Sequence, residues 1–252
     1  MPGMQPPSES PSLASRTWDT VGHPLLLVPL GSTEQHGPHL PLDTDTLVAT
    51  AVAERVTPEL RHHGVDAVVA PAIAYGSSGE HQGFPGTISI GREALTLLLL
   101  EFGRSACEWA GRLVFVNGHG GNVEALADAV RQLRDEGRDA AWLACSPDPR
   151  DAASAALPRD AHAGRAETSL IAHLRPQDLR ADRIAPGATA KLSELLQRLR
   201  AEGVRAVSPN GVLGNPTGAS PDEGQQLLDA ICAAAIRRVR GDRVAENGSL
   251  ID

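Results

Sequence analysis

The chain contains few cysteines, and their positions exclude two kinds of site. Its 252 residues include three cysteines, Cys107, Cys145 and Cys232. An odd and scattered set provides neither a disulfide framework nor a CxxC zinc pair. Cys107 and Cys232 fall in helical patterns and are predicted to be small core residues. Cys145 ends a predicted strand and could therefore approach a site at the strand end. We interpret it as structural too.

A net positive charge and long apolar runs are also missing. The formal net charge of −8 disfavours nucleic acid and anionic membrane surfaces as partners. No apolar run is long enough to span a bilayer, and the N-terminus shows no basic and apolar signal segment. These absences predict a cytoplasmic protein whose partners include neither nucleic acid nor membrane.

Strands and helices alternate along the chain, which predicts an α/β fold. Alternation of this kind is typical of a mostly parallel sheet with helices on both faces. Residues 20–245 show neither an internal repeat nor a linker and are predicted to form one domain, whereas the Pro- and Ser-rich residues 1–19 are predicted to be disordered. The predicted strands cover residues 25–30, 66–74, 113–116 and 140–144, and the predicted helices cover residues 46–62, 92–110, 123–137, 167–174, 191–203 and 221–240.

Ligand-type side chains follow the first predicted strand. The segment Gly31-Ser-Thr-Glu-Gln-His-Gly-Pro-His39, closed by Asp43-Thr-Asp45, brings carboxylates and imidazoles together in a loop bracketed by Gly and Pro. Carboxylate oxygens and imidazole nitrogens together suit Zn, Fe(II) or Mn(II). Glu34 and His36 alone could instead be a solvated loop pair.

Two further clusters follow later strands. Asn117-Gly-His-Gly-Gly-Asn122 comes after an apolar strand, and Asp160-Ala-His-Ala-Gly-Arg-Ala-Glu167 precedes a helix. Each has a simpler explanation: His119 could be a turn residue, residues 117–122 an anion nest, and Glu167 a helix-start carboxylate. Ligands bind at the carboxyl ends of strands in open α/β sheets. Three such clusters at equivalent positions therefore favour one metal site.

These motifs resemble the creatininase family of metal-dependent amidohydrolases. The resemblance covers the chain from about Leu25 to the last predicted helix. It implies a single-domain, three-layer creatininase-like fold and an enzyme that hydrolyses C–N bonds of amides or peptides. It also implies two divalent ions per subunit, Fe²⁺ or Zn²⁺ with Mn²⁺ as a further choice, and a homo-oligomer, a hexamer or larger.

The resemblance also implies a ligand set. Glu34, Asp45 and His119 would hold one ion, and His36, Asp45 and Glu167 the other, with Asp45 as the bridge. In creatininase itself, a glutamate two residues beyond the histidine of the Asn-Gly-His turn binds the second ion. Gly121 occupies that position here, so the role passes to Glu167.

Proton transfer to the leaving amine is assigned by the same resemblance. His162 lies at a point where creatininase also carries a histidine, and it is predicted to be catalytic together with Glu167. The alternative for His162 is a hydrogen bond to a ligand carboxylate. His39 is expected beside the ligands, while Glu80 and His81 either line the substrate cleft or lie on the surface.

Within the family, three segments are most similar to peptidases that act on a ribosomally made, modified precursor peptide. The segments are Pro71-Ala-Ile-Ala-Tyr-Gly-Ser-Ser-Gly-Glu-His81, Gly86-Thr-Ile-Ser-Ile-Gly91 and Asp160-Ala-His-Ala-Gly164. Such peptidases release the cross-linked C-terminal Val-Tyr unit of that peptide. Loops 75–86 and 146–160 are predicted to form a substrate cleft that is open at one end and admits a peptide tail.

Two other functions stay open. One is hydrolysis of creatinine or of a formamide by the same ligands. Creatinine-handling relatives hold the flat ring with tryptophans, whereas Trp18, Trp109 and Trp142 all lie outside loop 146–163, so creatinine is disfavoured. The other is a non-catalytic metal-binding module. Separated ligands in Gly-rich surroundings favour an open, catalytic site instead.

Overall fold

A parallel sheet of four strands forms the centre of the computed structural model, which describes residues 11–151 and 154–252. The strand order is β2-β1-β3-β4, and each neighbouring pair is parallel. Helices cover both faces of such a sheet, so its strands are apolar throughout, and every residue of β1 is buried. The strands are β1 (Leu25–Leu30), β2 (Ala67–Val69), β3 (Arg112–Asn117) and β4 (Ala140–Ala144).

The helices divide the core into two halves, one on each face of the sheet. Leu25 and Leu27 of β1 face a core formed with α1, α4 and α7. Leu26 and Val28 face the other core, formed with α2 and α3. This three-layer arrangement confirms the predicted α/β fold. The helices are α1 (Thr44–His62), α2 (Arg92–Ala106), α3 (Val123–Asp135), α4 (Arg165–Leu174), α5 (Leu192–Glu202), α6 (Val204–Val207) and α7 (Pro221–Gly241).

The topology fixes where polar loops meet. From β1 the chain moves to β2, on one side of β1 in the sheet, and then returns to β3 on the other side of β1. The direction in which strands are added to the sheet therefore reverses between β1 and β3. A crevice opens at such a reversal, outside the carboxyl ends of the strands. Gly118, just after β3, approaches the first turn of α1 so closely that a Cβ there would lie 2.3 Å from the Asp45 carbonyl oxygen.

Several element boundaries differ from the predicted ones. β2 ends at Val69 rather than at 74, since Pro71 cannot donate a ladder hydrogen bond. Helix α4 begins at Arg165, two residues early, because the Asp160 carboxylate accepts hydrogen bonds from the Arg165 and Ala166 amides. Helix α2 ends at Ala106 rather than at 110. The short helix α6 and an antiparallel pair, β5 (Arg243–Val244) and β6 (Leu250–Ile251), were not predicted.

The predicted tail divides into two parts. Residues 1–10 lie outside the described residues. From Pro11 onward the chain follows the edge of the sheet, with the Pro11 carbonyl accepting a hydrogen bond from the Val69 amide at 2.8 Å. Two short 3-10 helices follow, at Leu13–Ser15 and Trp18–Thr20. The division into residues 1–19 and 20–245 stays a prediction, and Leu250, beyond its end, is buried.

The cysteines lie where the sequence placed them. Cys232 is buried in the core beside α1 and α4, and Cys107 packs against the other core. Both, like Cys145, are free thiols. Within residues 11–151 and 154–252, the structure has no helix of the length and apolarity needed to cross a membrane.

Candidate metal centre

Five predicted ligands converge at the carboxyl edge of the sheet. Glu34 and His36 lie on the loop after β1, Asp45 in the first turn of α1, His119 just after β3, and Glu167 in the first turn of α4. The first two are 0% exposed, Asp45 is 3% exposed and His119 is 5% exposed. Glu167 is partly buried. Four separate segments therefore supply one buried polar cluster.

Two groups of possible ligands share Asp45, beside a third group of Glu34, His36 and His162. In the first, His119 Nε2 lies 3.3 Å from Glu34 Oε2, and His119 Nδ1 lies 3.3 Å from Asp45 Oδ2. In the second, His36 Nε2 lies 3.1 Å from Asp45 Oδ1, and Glu167 joins them. Within each group, the possible ligand atoms all lie within 4.8 Å of one another. One oxygen of Asp45 thus faces each group.

The buried carboxylates fit a pair of cations. Both carboxylate oxygens of Glu34 and Oδ2 of Asp45 are buried and accept no hydrogen bond. Their nearest possible partners are imidazole nitrogens at 3.3 Å, and a buried carboxylate is costly unless a cation or a proton neutralises it. The donor set of carboxylate oxygens and imidazole nitrogens suits Zn, Fe(II) or Mn(II). The cluster therefore has the charge, the burial and the donor atoms of a metal centre.

The electrostatics of the cluster show how strongly its members interact. Burial raises the pKa of Glu34 to about 7, with the nearby Asp45 carboxylate adding to the effect. Burial opposes protonation of His36 and His119, but Asp45 and Glu34 outweigh it and raise the pKa of each imidazole to about 10. For Asp45, burial is overcome by His36 and His119, so its pKa lies well below the usual range. Without a metal, protons therefore occupy the ring nitrogens of these two imidazoles, and a bound cation would displace those protons.

Glu167 interacts with the same charges. Burial raises its pKa, while the positive charge of His36 opposes the rise. One carboxylate oxygen of Glu167 accepts a short hydrogen bond from the Ala163 amide. Ala163 takes a left-handed φ of 50°, a conformation that non-glycine residues adopt mostly in tight turns. The turn before α4 therefore fixes the Glu167 carboxylate toward the cluster.

Two asparagines hold the turn that carries His119. The Asn117 side chain donates to the His119 carbonyl at 2.7 Å. The Asn122 side chain donates to the Gly31 carbonyl at 3.0 Å and accepts from the Ser77 amide at 2.9 Å. The Asn-Gly-His-Gly-Gly-Asn segment thus ties three loops together. These contacts favour a turn that orients His119 rather than an anion nest.

Gly121 shows why no glutamate follows His119 in this chain. A Cβ at Gly121 would lie 2.3 Å from the Ser77 carbonyl oxygen and 2.4 Å from His119 Nε2. Any side chain there would displace the loop after β2. It would also lie 3.0 Å from a carboxylate oxygen of Glu80, which places Glu80 beside the His119 turn.

His162 reaches the cluster from the loop before α4. Its Nε2 lies 2.8 Å from the Gln35 carbonyl oxygen, which can only accept, so Nε2 carries the proton in the neutral ring. Its Nδ1 then faces Glu34 Oε1 at 3.8 Å without a proton. Burial, aided by the charge of His36, lowers the pKa of His162 well below its usual value. This distance is too long for the predicted alternative of a hydrogen bond to a ligand carboxylate.

Two residues of the cluster were not assigned from the sequence. His81, from the loop after β2, is 4% exposed, and its Nε2 lies 3.3 Å from Glu34 Oε1. The Gln35 side chain lies 2.8 Å from His81 Nδ1 and 3.1 Å from His162 Nε2. Burial and the charge of His119 lower the pKa of His81 to about 3. Its place in the Gly-rich loop that leads away from β2 is the signal that could have identified His81, while Gln35 carried none.

His39 and Asp43 lie beside the cluster without joining it. His39 Nε2 lies 2.9 Å from the Thr168 hydroxyl, which ties the loop after β1 to α4. Burial, with the charge of His36, lowers the pKa of His39 to about 4. Asp43 pairs instead with Arg175, at 2.6 Å. His39 thus supports the neighbouring loop.

A cavity of about 410 Å³ lies next to Asp45 and Glu167. Its walls come from loop 146–160 and from helices α1, α4 and α7. The predicted cleft included loop 75–86 as well, but no residue of that loop lines this cavity. The loop contributes His81 to the cluster instead.

Comparison with known proteins finds similar sequences and structures over most of the chain. The creatinine amidohydrolase (creatininase) family model matches residues 14–239. The mycofactocin precursor peptide peptidase of Mycolicibacterium smegmatis is 56% identical over 225 residues, which cover 87% of each chain. That of Mycobacterium ulcerans is 56% identical over 222 residues, which cover 86% of this chain and 84% of the relative. A solved structure described as "Creatininase Mn" aligns with a TM-score of 0.76 and 28% identity, over 93% of this chain and 99% of that chain.

Proposed function

The chain belongs to the creatininase family, and on that premise we propose that it is a metal-dependent peptidase of the mycofactocin precursor peptide. It cleaves the modified peptide near its C-terminus and releases the cross-linked Val-Tyr-derived unit. One observation carries the hydrolytic part, namely that two groups of buried ligand atoms share Asp45. Relatives that cover most of the chain and are named for this peptide support the substrate.

The proposed ligands form two sets. Glu34, Asp45 and His119 would hold one divalent ion, and His36, Asp45 and Glu167 the other. Fe²⁺ or Zn²⁺ are the proposed ions, with Mn²⁺ as a further choice, since all three accept this donor set. When bound, such a pair polarises the scissile carbonyl and lowers the pKa of bound water.

Proton transfer is the task of His162. Its Nε2–H is held by the Gln35 carbonyl, so Nδ1 is the atom that accepts a proton from the attacking water and passes it to the leaving amine. Burial and the charge of His36 lower the pKa of His162, so this imidazole is neutral at rest. Glu167, the other residue assigned to catalysis, is oriented by the Ala163 amide.

Creatinine hydrolysis is disfavoured by the same site. The chain has three tryptophans, and none of them lines the cavity beside Asp45. A flat ring would find no aromatic face among the residues that line this cavity. A homo-oligomer, a hexamer or larger, is also proposed on the family resemblance, and a cytoplasmic location on the sequence.

Mass spectrometry of the peptide tests this function. The purified protein, loaded with Fe²⁺ or Zn²⁺, is incubated with the modified precursor peptide, with the unmodified peptide and with creatinine. We expect the modified peptide to lose its C-terminal unit, the unmodified peptide to react slowly, and creatinine to remain. Chelator-treated protein is the control and should leave the peptide whole. Rapid creatinine hydrolysis beside an intact peptide would overturn the proposal.

A further inference from the structure

His81 and the Gln35 side chain lie in the metal cluster, and neither is a proposed ligand or proton carrier. We propose that His81 is a catalytic hydrogen-bond donor, whose Nε2–H binds the carbonyl oxygen of the scissile peptide bond as that oxygen gains negative charge. Gln35 is the positioning residue that keeps the proton on this nitrogen. The inference rests on the proposed function and adds a donor to its reaction.

Two backbone groups settle the orientation of the Gln35 side-chain amide. Its Oε1 lies 2.9 Å from the Gly37 amide, which can only donate, and its Nε2 lies 3.2 Å from the Gly211 carbonyl oxygen, which can only accept. A rotated amide would oppose like groups at both places. Gly211 has a φ of 82°, and a Cβ there would lie 1.9 Å from Gln35 Oε1. The glycine therefore lets its loop approach Gln35 and hold it.

The fixed amide determines which nitrogen of His81 carries the proton. Gln35 Nε2 lies 2.8 Å from His81 Nδ1, and an amide nitrogen can only donate, so Nδ1 accepts and carries no proton. The neutral ring then has its proton on Nε2. Both hydrogens of the Gln35 amide are used in this way, by the Gly211 carbonyl and by His81. The 3.1 Å contact between Gln35 Nε2 and His162 Nε2 joins two donors and adds no hydrogen bond.

The Nε2–H of His81 faces the cluster without an acceptor of its own. Nε2 lies 3.3 Å from Glu34 Oε1, yet that oxygen accepts no hydrogen bond. No other group in the described part of the chain accepts a hydrogen bond from this nitrogen. The ring is only 4% exposed, and a buried donor without an acceptor costs free energy. The Nε2–H is therefore available to a group that enters the site.

His81 and His162 present complementary atoms to the same place. His81 Nε2 lies 3.3 Å and His162 Nδ1 lies 3.8 Å from Glu34 Oε1, and the two ring centroids are 4.3 Å apart. His81 offers an N–H there and His162 a lone pair. Gln35 fixes both rings, the first through its side chain and the second through its carbonyl oxygen. A hydrogen-bond donor and a base thus lie side by side at the edge of the proposed metal centre.

Hydrolysis of a peptide bond uses a donor and a base around one carbon. As water attacks the carbonyl carbon, a C–O bond forms, one proton of the water moves to His162 Nδ1, and an electron pair of the C=O bond moves onto the carbonyl oxygen. His81 donates a hydrogen bond to that oxygen and keeps its own proton. The electron pair then returns, the C–N bond breaks, and His162 gives its proton to the leaving nitrogen. A donor placed where charge develops stabilises the transition state more than the bound peptide.

Nitrogen-15 NMR of the Zn²⁺-loaded protein, labelled at histidine, tests the position of the proton. The chemical shift of a ring nitrogen depends on whether it carries a proton, so we expect a bare Nδ1 and a protonated Nε2 for His81. Loss of this signal in His81→Gln assigns it. In Gln35→Met, which has no amide to donate, the proton should distribute between both nitrogens. A proton on Nδ1 of His81 in the wild type would overturn the inference, whether or not the peptide is cleaved.

Cleavage kinetics of the modified peptide test the role of the donor. His81→Leu should lower kcat by about 10²-fold with little change in KM, as is usual for loss of one donor to a developing oxyanion. His81→Gln keeps an N–H close to the position of Nε2 and should recover most of that loss. Gln35→Met should lower kcat by about 10- to 100-fold through the freed ring. His62→Leu, at an exposed position at the end of α1, is the matched control and should keep the wild-type kcat.

Metal content and thermal unfolding separate this role from a structural one. We expect His81→Leu to fold and to bind as much metal as the wild type. A wild-type kcat in His81→Leu, an equal loss of kcat in His81→Leu and His81→Gln, or the loss of an ion from His81→Leu would overturn the inference while the proposed function stands. If the wild-type protein leaves the modified peptide intact, the proposed function is wrong and the catalytic role of His81 fails with it, whichever nitrogen carries the proton.

Discussion

The loops that follow β1 and β4 meet at the same site but are built differently. In the first, Glu34, Gln35 and His36 are buried and contact other side chains of the cluster. In the second, which runs from 146 to 164, many positions are exposed, and three prolines line a cavity. Among its described residues, His162 enters the cluster.

The comparison separates chemistry from selection. The loop after β1 is fixed from several sides by the strand ends, so its ligand atoms have little freedom. The loop after β4 is held from outside, where Asp148 pairs with Arg150 and Arg237. Connecting loops tolerate sequence change better than the elements they join. We infer that the first loop sets which bond chemistry occurs and the second sets which substrate enters.

Asp45→Ala should give the largest effect in either region. Asp45 faces both ligand groups, so its removal should abolish peptide cleavage. His162→Ala should lower kcat less, by about 10²- to 10⁴-fold, as is usual for loss of a general acid or base. Cleavage rates of the modified peptide give both values. Near-normal turnover in Asp45→Ala would contradict the shared role of this carboxylate.

Metal affinity should depend on pH, because proposed ligands on the loop after β1 and on neighbouring segments carry protons when no metal is bound. Without metal, His36 and His119 have pKa values of about 10 and Glu34 of about 7, so these groups carry protons at neutral pH. Metal ligands must be deprotonated. Affinity should therefore rise with pH between about 6 and 9, about tenfold per pH unit for each proton released.

Competition with a chelator of known pH dependence measures this slope. His63→Gln, an exposed residue of the turn after α1, should keep the wild-type slope. A metal affinity that stays constant over the same pH range would show that metal binding does not release protons from the imidazoles.

The smallest effect is expected in the second loop. Arg237 contacts Asp148 and Asp151 at 3.5 Å each, and Asp148 keeps Arg150 as a partner when Arg237 is lost. Arg237→Ala should therefore raise KM only about two- to threefold, with kcat unchanged, as expected for partly exposed ion pairs. Arg198→Ala removes a surface pair with Glu202 and is the control. A large fall in kcat would mean that this loop also shapes the chemistry.

The same contrast explains what could be predicted from the sequence. Apolar runs and the helix periodicity indicated the parallel sheet, since strands buried on both faces contain few polar residues. The ligand candidates were visible because His, Asp and Glu follow strand ends in Gly-rich turns. Topology then had to bring Glu34, His119 and Glu167 together, and no local pattern encodes that distance.

The remaining features depend on contacts between distant segments. His81 looked like a loop residue because its burial comes from Glu34 and Gln35, which are far from it along the chain. The cavity walls come from α7 and loop 146–160, and the part of loop 75–86 in the substrate cleft stays a prediction. Helix α4 begins earlier than predicted because Asp160 accepts hydrogen bonds from its first amides, and residue spacing does not reveal these bonds.

Anomalous scattering from metal-loaded crystals tests the central claim most directly, that Asp45 joins two metal sites. The account predicts two peaks per protomer, one beside Glu34 and His119 and one beside His36 and Glu167. His119→Ala should lose the first peak and His36→Ala the second, while the other peak remains. A single peak in the wild type, or two full peaks in both variants, would contradict the account.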